Sequence, residues 1–382
     1  MTLVVREARS RVDERTFIAF PYTLYDATRF PNWVAPLRMT VEDALDRARN
    51  PFYRDADRAL FLAERDGLVV GRIAAIENRA ANRFRSDHTG FFGFFECHDD
   101  VETARALFDA AGTWLRARGL TEMLGPVNPS TNYECGLLVH GFEQRPTFMT
   151  PWNPPYYDPL CHAAGLTKAK DLLSFWFAVD APDFDPPELV ARHAARATRG
   201  ATLTFRDLDL RDFEREAALL WELYNAAWED NWGFVPMTQA EFLHSAKGLR
   251  ALLRPAWSFV ASIDGVPVGF MLAVPDYNEV LRHHRSGRLL PFAVPHMLWH
   301  KNRARSARVL ALGVRREARA RSLLPLFTHE IMRRGRARHA IGAEASWLLE
   351  DNHLIVKPMR TMGATERMTW RLYSRPLIPT TA

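Results

Sequence analysis

The sequence has few cysteines and no long apolar run. Its three cysteines, Cys97, Cys135 and Cys161, are widely spaced and form no C-x-x-C pair, so they indicate neither a disulfide framework nor a zinc or redox site. No stretch of about 18 consecutive apolar residues occurs, which argues against a membrane-spanning helix. The opening MTLVVREARS is charged early and lacks the pattern of a secretory signal. We therefore expect a cytoplasmic, metal-free protein whose cysteines fill the core.

The length and the apolar content indicate two ordered domains. A chain of 382 residues with 47% apolar content is longer than one core usually needs. A proline-rich joint at Pro182 to Pro187 separates two halves in which one order of elements recurs. We predict an N-terminal domain at 1–181, a linker at 182–200 and a C-terminal domain at 201–382.

The recurring order of elements predicts an α/β fold. Each half contains a hairpin, turning at Asp66-Gly67 in the first and at Asp264-Gly265 in the second. In each half a further strand follows, and then a periodic helix, over Val101–Arg118 and Leu323–Arg338 respectively. Later strands and a short helix complete a mixed sheet covered by helices.

Positive charge is concentrated in one segment. Residues 282 to 339 contain 15 Arg or Lys against two Glu, a net charge of +13 that leaves −8 on the rest of a chain whose total is +5. Such asymmetry favours a polyanionic partner, which could be a nucleic acid, an anionic bilayer or a phosphate-bearing cofactor. A solvated arginine-rich face is the alternative.

One part of this basic segment has the pattern of an anion site. The apolar strand Arg308–Val314 leads directly into a turn and a helix, so backbone N–H groups of Arg315 to Leu324 are expected at a helix N-terminus. Arginine side chains in the turn could add charge-assisted hydrogen bonds to phosphate groups. They are Arg315, Arg316, Arg319 and Arg321.

This strand, turn and helix resemble the coenzyme A-binding segment of the GNAT superfamily of N-acetyltransferases. The resemblance implies binding of a coenzyme A thioester by Leu312, Gly313, Val314, Arg315, Arg319, Arg321, Ser322 and Asn352. The chain departs from the family at two small positions of the loop, where it has Ser322 and Leu324. Met359 stands where the family has a thiolate-protonating tyrosine, so Tyr373 or a water is the substitute we predict.

A narrower resemblance covers most of the chain. It rests on the following segments: GPVNPSTNYECGLLVHGF, NPPYY, YNAAWEDNWGFVP, PDYN and EASWLLEDN. These are similar to the tandem-GNAT family that includes bacterial ceramide synthases. The resemblance implies two GNAT-type domains, with acyl-CoA bound by the C-terminal one, and transfer of a fatty acyl group to the amine of a long-chain base such as sphinganine or its 3-keto form.

Such a transfer needs a base for the amine, donors for the oxyanion and a proton for the thiolate. We expect the oxyanion donors to be backbone N–H groups at Leu312 to Val314. Glu344 and Glu350 are the candidate bases, because both lie on or just after the strand expected to flank the thioester. Alternatively, Glu344 forms a structural ion pair and Glu350 is a helix N-terminal charge.

The N-terminal half offers substrate contacts rather than a cofactor loop. His98-Asp99-Asp100 joins its strand to its helix without glycines or arginines. We predict an amine-binding wall elsewhere in the N-terminal half, with ordinary loop hydrogen bonding as the alternative role of its residues. In the C-terminal half we predict an acyl or substrate channel, with aromatic packing as the alternative. The wall residues are Asn128, Asn132, Tyr133, Glu134 and His140, and the channel residues are Trp228, Trp232, Phe234, Tyr277 and Trp347.

The segment 279–307 has no counterpart in a minimal fold of this kind. It contains LLPFAVPHMLWH between basic clusters, a composition that could contact the inner face of an anionic membrane. Packing as a loop over the domain joint is the alternative. For function, a small-amine acetyltransferase and a non-catalytic acyl-CoA sensor remain open. The arginines come with no nucleic-acid recognition module, so no nucleic-acid partner is expected.

Overall fold

The computed structural model describes residues 2–180, 188, 191–192, 194–195, 200–319 and 323–377. The predicted linker at 182–200 lies mostly outside the described residues, and Arg321 and Ser322 lie outside them entirely.

The described residues form two compact units that do not follow chain order alone. Unit 1 comprises those within Met1–Leu172, Val280–Ala293 and Met368–Ala382, and unit 2 those within Leu173–Glu279 and Val294–Arg367. The prediction divides the chain at one boundary near residues 181 to 201. In the structure, two segments beyond that boundary, within Val280–Ala293 and Met368–Ala382, belong to the unit of the N-terminal residues. Val280–Ala293 joins unit 1 because Arg285 donates hydrogen bonds to the carbonyl oxygens of Tyr25, Phe30 and Trp33.

The first part of the chain carries nine strands and five helices among its described residues. The strands are β1 (Leu3–Glu7), β2 (Ala56–Arg65), β3 (Leu68–Asn78), β4 (Thr89–Cys97), β5 (Glu122–Gly125), β6 (Val127–Asn128), β7 (Glu134–Cys135), β8 (Leu137–His140) and β9 (Thr167–Ala178). The helices are α1 (Arg11–Leu24), α2 (Arg38–Leu45), α3 (Arg79–Arg85), α4 (Val101–Arg116) and α5 (Tyr157–Ala163).

The second part continues the same alternation. Its strands are β10 (Leu203–Arg206), β11 (Phe259–Ile263), β12 (Val266–Pro275), β13 (Ser306–Val314), β14 (Gly342–Leu349) and β15 (Thr365–Pro376). Its helices are α6 (Phe213–Trp228), α7 (Gln239–Leu249), α8 (Asn278–Leu281), α9 (Ala293–Lys301), α10 (Arg316–Arg319), α11 (Leu324–Arg336) and α12 (His353–Thr361). Among the described residues, no helix is both long enough and apolar enough to cross a membrane.

Unit 1 is built on a sheet in the order β1-β2-β3-β4-β5-β15, with β8 also pairing β15. Strands β4 and β5 run parallel, and the neighbours on either side run antiparallel. Helix α4 packs on the sheet through residues at helical spacing, Ala104, Leu107, Phe108 and Ala111, which are fully buried. The three cysteines are buried as well.

Unit 2 repeats this architecture, with the strand order β10-β11-β12-β13-β14-β9. Strands β10 to β13 are antiparallel, and β13 and β14 are parallel. Helices α11 and α12 pack on the sheet: Leu326, Phe327 and Val356 join one buried apolar cluster with alternate residues of the strands. The α/β prediction is therefore confirmed in both units.

Local signals in the sequence place the turns correctly. Both predicted hairpins turn where expected, and both turn residues have positive φ, 51° and 81° at Asp66-Gly67 and 49° and 80° at Asp264-Gly265. This is the backbone of a two-residue hairpin turn, for which Asp-Gly is well suited. The predicted helices over 101–118 and 323–338 are observed as α4 and α11, each ending two residues earlier.

Candidate active site

The sheet of unit 2 opens where β13 and β14 separate. The two strands pair from Ser306 opposite Gly342 to Val309 opposite Ala345, although β13 continues to Val314 and β14 to Leu349. Beyond Val309, β13 stays paired with β12 on its other side. The last residues of β13 therefore present a backbone edge toward the gap, and an extended ligand can form hydrogen bonds with such an edge.

A β-bulge marks the start of this gap. Leu272 pairs with Ala311 and Ala273 pairs with Val309, which leaves Leu310 as the extra residue of β13. A bulge bends its strand and increases the local twist. Burial changes at the same point, because Ser306 to Val309 are buried and Leu310 to Leu312 are partly exposed. The pairing of β13 with β14 thus ends just before Leu310, where the side chains of β13 also become more exposed.

The turn after β13 carries the arginines predicted from the sequence. Arg315 donates its backbone N–H to the Val268 carbonyl oxygen at 2.8 Å, and its guanidinium lies 3.6 Å from Glu222. Its Nε atom is buried and has no hydrogen-bond partner within the described residues. Helix α11 begins nearby, and among the described residues no side chain caps its N-terminus. A buried N–H donor and free helix N–H groups suit an anionic ligand.

Arg319 has a different role in the same turn. Its guanidinium donates to Asp230 at 3.1 Å and to the Ala227 carbonyl oxygen at 2.8 Å. Arg316 also lies near Asp230, at 3.7 Å. Asp230 therefore neutralises part of the basic turn, and Arg319 ties the turn to the end of α6.

In unit 1, strand β6 occupies the position that corresponds to the gap in unit 2. Strand β4 pairs with β5 only from Thr89 to Phe91, and beyond that point Asn128 Oδ1 accepts a hydrogen bond from the Phe94 N–H at 2.7 Å. A Cβ on Gly93 would lie 1.8 Å from the Val127 carbonyl oxygen, so the β6 backbone sits directly against β4. Helix α4 is capped by Asp100, which accepts from the backbone N–H groups of its first turn.

Glu344 belongs to a buried polar network beside the gap in unit 2. Its side chain is fully buried and lies 3.9 Å from the Arg367 guanidinium, and its other carboxylate oxygen accepts from the Ser346 hydroxyl at 3.2 Å. Arg308, the β13 residue opposite Glu344, donates to the same hydroxyl at 3.0 Å. Ala343 and Ala345 join the apolar core, so Glu344 and Ser346 lie on the opposite face of the strand.

The other predicted catalytic residues occupy different surroundings. Glu350 is partly exposed in the turn between β14 and α12, and Asn352 is the N-cap residue of α12. Met359 is buried in the apolar core of unit 2. Tyr373 lies in unit 1, where its hydroxyl donates to Asp158. Burial raises the pKa of Tyr373 well above its ordinary value, and the hydrogen bond to Asp158 raises it further.

Two of the predicted channel aromatics pack inside unit 2. Trp228 stacks on Tyr224 with ring centroids 4.7 Å apart and lies against β13, because a Cβ on Gly313 would come within 2.7 Å of its ring. Tyr277 is fully buried and donates its hydroxyl to the Leu252 carbonyl oxygen at 2.9 Å. Both are accounted for by packing and hydrogen bonding, which is the alternative interpretation.

The remaining channel residues occupy three different surroundings. Trp347, on β14 beyond its last pair with β13, lies under the Arg308 guanidinium at 4.6 Å. Trp232 is 37% exposed and follows the end of α6. Phe234 is buried and forms an edge contact with Tyr224 at 5.8 Å. Of this set, Trp347 is thus the residue located at the gap.

The predicted amine-binding wall of unit 1 is only partly brought together. Asn128 and Glu134 are opposite each other in the β6–β7 pair, and Tyr133 and Asn132 precede β7. Tyr133 contacts Phe52 edge to face at 6.2 Å. His140 is exposed at the end of β8, opposite Thr369 of β15, and so lies on a different strand pair. The Asn128 side chain instead accepts the hydrogen bond from the Phe94 N–H of β4.

Sequence reasoning missed Arg308, Ser346 and Arg367. A signal for the first was available, because Arg308 is a charged residue within the apolar run ARVLALGV and Glu344 is a charged residue within the apolar run AIGAEASWLL. Opposite charges in two adjacent buried strands predict that the two charged residues lie opposite each other.

Within the described residues, no group of three or more His, Cys, Asp or Glu side chains could hold a metal ion.

Solved structures define the class of fold. The tandem GNAT protein from the clavulanic acid biosynthesis pathway matches 99% of this chain and 100% of its own with a TM-score of 0.57 at 15% identity. A GCN5-related N-acetyltransferase from Sphaerobacter thermophilus matches 99% and 96% with a TM-score of 0.51 at 14% identity. The fold is therefore that of tandem GNAT proteins, as predicted.

Sequence comparison gives the family. No family model matches the chain. It is 34% identical over 383 residues to the bacterial ceramide synthase of Caulobacter vibrioides, which covers 98% of both chains. It is 33% identical over 381 residues to the protein YghO of Escherichia coli, covering 98% of this chain and 95% of that one. The chain belongs to the tandem GNAT-fold N-acyltransferase family that includes bacterial ceramide synthases.

Proposed function

We propose that this protein is an acyl-CoA-dependent N-acyltransferase whose acceptor is the amine of a long-chain base. The observation that carries the proposal is the gap in unit 2, where β13 has no partner on the β14 side from Leu310 onward and leads toward the N-terminus of α11, which no described side chain caps. The lipid acceptor follows from the name of the Caulobacter relative, a ceramide synthase.

The residues of the gap fit a coenzyme A thioester. Backbone groups of Leu312, Gly313 and Val314 would pair with its extended arm, and Arg315 with the helix N-terminus would meet its phosphates. The buried Nε of Arg315, which lacks a partner within the described residues, supports this assignment. When bound, coenzyme A supplies the activated acyl group. The equivalent edge in unit 1 is covered by Val127 and Asn128, which favours one cofactor site per chain.

The chain's own groups would then handle the proton and the developing charge. An amine is protonated near neutral pH, so it must lose a proton before its nitrogen attacks the thioester carbonyl carbon and the carbon–sulfur bond breaks. We assign that proton to Glu344, a fully buried side chain whose carboxylate oxygen lies 3.9 Å from the Arg367 guanidinium. Backbone N–H groups at Leu312 to Val314 would stabilise the oxyanion. As the carbon–sulfur bond breaks, a water molecule would carry the second nitrogen proton to the departing thiolate, which leaves as the thiol.

A second candidate function is a non-catalytic acyl-CoA sensor. One observation favours it: no tyrosine takes the place of the family's proton donor on α12, because Met359 is buried in the core there. The substitute predicted from the sequence, Tyr373, is engaged with Asp158 in unit 1. A sensor would bind the thioester without forming an amide.

The test is to incubate the purified protein with palmitoyl-CoA or acetyl-CoA and a panel of amines: sphinganine, 3-ketosphinganine and spermidine. Free thiol and amide products are followed, the latter by mass spectrometry. Amide formed only with the long-chain bases supports the proposal. Amide formed only on spermidine replaces it with small-amine acetylation, and coenzyme A binding without any amide replaces it with the sensor.

A further inference from the structure

Helix α9 in the segment 279–307 exposes apolar side chains to solvent. Its inner face is fixed in unit 2, because Met297 and His300 are buried and His300 Nε2 lies 3.3 Å from a Glu279 carboxylate oxygen. The outer face carries Leu298 and Trp299, which are 54% and 55% exposed. The buried contacts hold the helix in place, so these two large side chains are presented outward on a supported surface.

Cationic groups border these apolar side chains. The Arg303 guanidinium lies 4.3 Å from the centroid of the Trp299 ring, and Lys301 donates to the Ala251 carbonyl oxygen at 2.7 Å. An arginine that covers a tryptophan ring while its charge stays in water is a common arrangement at a membrane interface. Trp is itself enriched at the level of lipid headgroups.

Further positive charges lie close to Lys301. Burial lowers the pKa of Lys301, and the nearby charge of Arg254 lowers it further. Burial also lowers the pKa of Arg254, with Arg338 as the next cause. Among the described residues, no carboxylate is a cause of either shift. Arg254 thus lies close enough to repel both Lys301 and Arg338, and an anionic surface would offset this concentration of positive charge.

We propose that this surface, formed by Leu298, Trp299, Lys301, Arg303, Arg254 and Arg338 and called here the α9 patch, binds the anionic headgroup layer of a phospholipid bilayer. Leu298 and Trp299 enter the interface, and the cations meet the phosphates. The combination distinguishes a bilayer from a soluble polyanion, because a free anion would give the two exposed apolar side chains nothing to bury against. The inference goes beyond acyl transfer, since binding requires no catalysis.

The first test is co-sedimentation of the full chain with vesicles of phosphatidylcholine alone or mixed with phosphatidylglycerol. We expect binding to the mixed vesicles that weakens as salt is raised. Leu298→Ser with Trp299→Ser should weaken partitioning by roughly tenfold or more, and Arg303→Glu by roughly tenfold. The matched controls are Val266→Ser, at a side chain 63% exposed, and Arg215→Glu, at an exposed arginine of α6; both should bind like the wild type.

The second test reports insertion directly. Vesicles with brominated acyl chains quench tryptophans that enter the bilayer, and we expect Trp299→Phe to bind while losing most of the quenching. Absence of vesicle binding, or equal binding by the wild type and the Leu298/Trp299 double variant, would overturn the proposal. So would binding that inorganic phosphate or duplex DNA displaces completely at constant ionic strength, because the patch would then recognise any anion. Circular dichroism of each variant establishes that it is folded.

Discussion

Replacing Glu344 by Gln separates the catalytic role that we propose for this residue from its role in a buried ion pair. Gln keeps the size and the hydrogen bond to Ser346 but removes the charge that faces Arg367. If Glu344 accepts the amine proton, the substitution should lower kcat for amide formation by a factor of roughly 10² to 10⁴. If Glu344 only pairs with Arg367, the activity of the variant should fall only in proportion to the fraction of protein that the lost stability leaves unfolded.

The cost in stability follows from the geometry. With the charged atoms 3.9 Å apart, the Coulomb attraction is roughly 4 kcal/mol at an effective dielectric constant of about 20. Arg367 keeps 25% of its side chain exposed, so water screens part of this attraction, and the desolvation of the carboxylate offsets another part. We therefore expect Glu344→Gln to lower the free energy of unfolding by about 2 kcal/mol.

The assay is a double-mutant cycle of Glu344→Gln and Arg367→Met, measured by urea unfolding and by amide formation under conditions where every variant is folded. We expect the double variant to regain part of the stability and none of the activity. Glu366→Gln is the matched control, because Glu366 pairs with the exposed Arg360 instead. Activity of Glu344→Gln within about threefold of the wild type, or recovery of activity in the double variant, would refute the assignment of Glu344 as base.

Three further predictions test the architecture around the site. Gly93→Ala places a Cβ 1.8 Å from the Val127 carbonyl oxygen and should lower the unfolding free energy by about 3 kcal/mol; unchanged stability in urea would contradict the close packing of β6 on β4. Gly313→Ala brings a Cβ within 2.7 Å of the Trp228 ring and should weaken coenzyme A binding roughly tenfold by calorimetry, while Gly248→Ala, with no atom within 4 Å, should not. For Glu330, burial alone would raise the pKa, but hydrogen bonds from Arg333 and Arg334 outweigh it and hold the pKa below its ordinary value of 4.5. The stabilising contribution of Glu330 is therefore present above pH 4.5 and lost as the pH falls below that value. The Glu330→Gln variant should be less stable than the wild type at pH 7, and this difference in unfolding free energy should shrink in acid. A difference that stays constant down to pH 3 would refute this.

The elements that sequence reasoning predicted are those fixed by neighbours along the chain. The Asp-Gly turns need only two residues with positive φ, and α4 needs only its capping Asp100 and an apolar stripe. The strand that ends at Val314 was predicted for the same reason, because an apolar run is followed at once by a basic turn. These features depend on local conformational preferences, which a sequence displays directly.

The features that escaped prediction depend on contacts between distant residues. Nothing local shows that Asn128 would satisfy the N–H of Phe94, 34 positions earlier, or that Arg285 would hold its segment to the first unit. The partner of Glu344 was equally hidden, because Arg367 follows it by 23 residues and lies on another strand. A buried charge in an apolar strand does indicate that some partner exists, but it does not identify that partner.

The most direct test of the account measures both products of one reaction. Purified protein is mixed with palmitoyl-CoA and sphinganine, and free coenzyme A and N-palmitoyl amide are quantified over the same time course. The account predicts equal amounts of the two, neither formed when sphinganine is omitted, and both nearly abolished in Glu344→Gln. Coenzyme A released without amide would show thioester hydrolysis instead, and tight binding of palmitoyl-CoA with neither product would contradict the assignment of acyl transfer to this site.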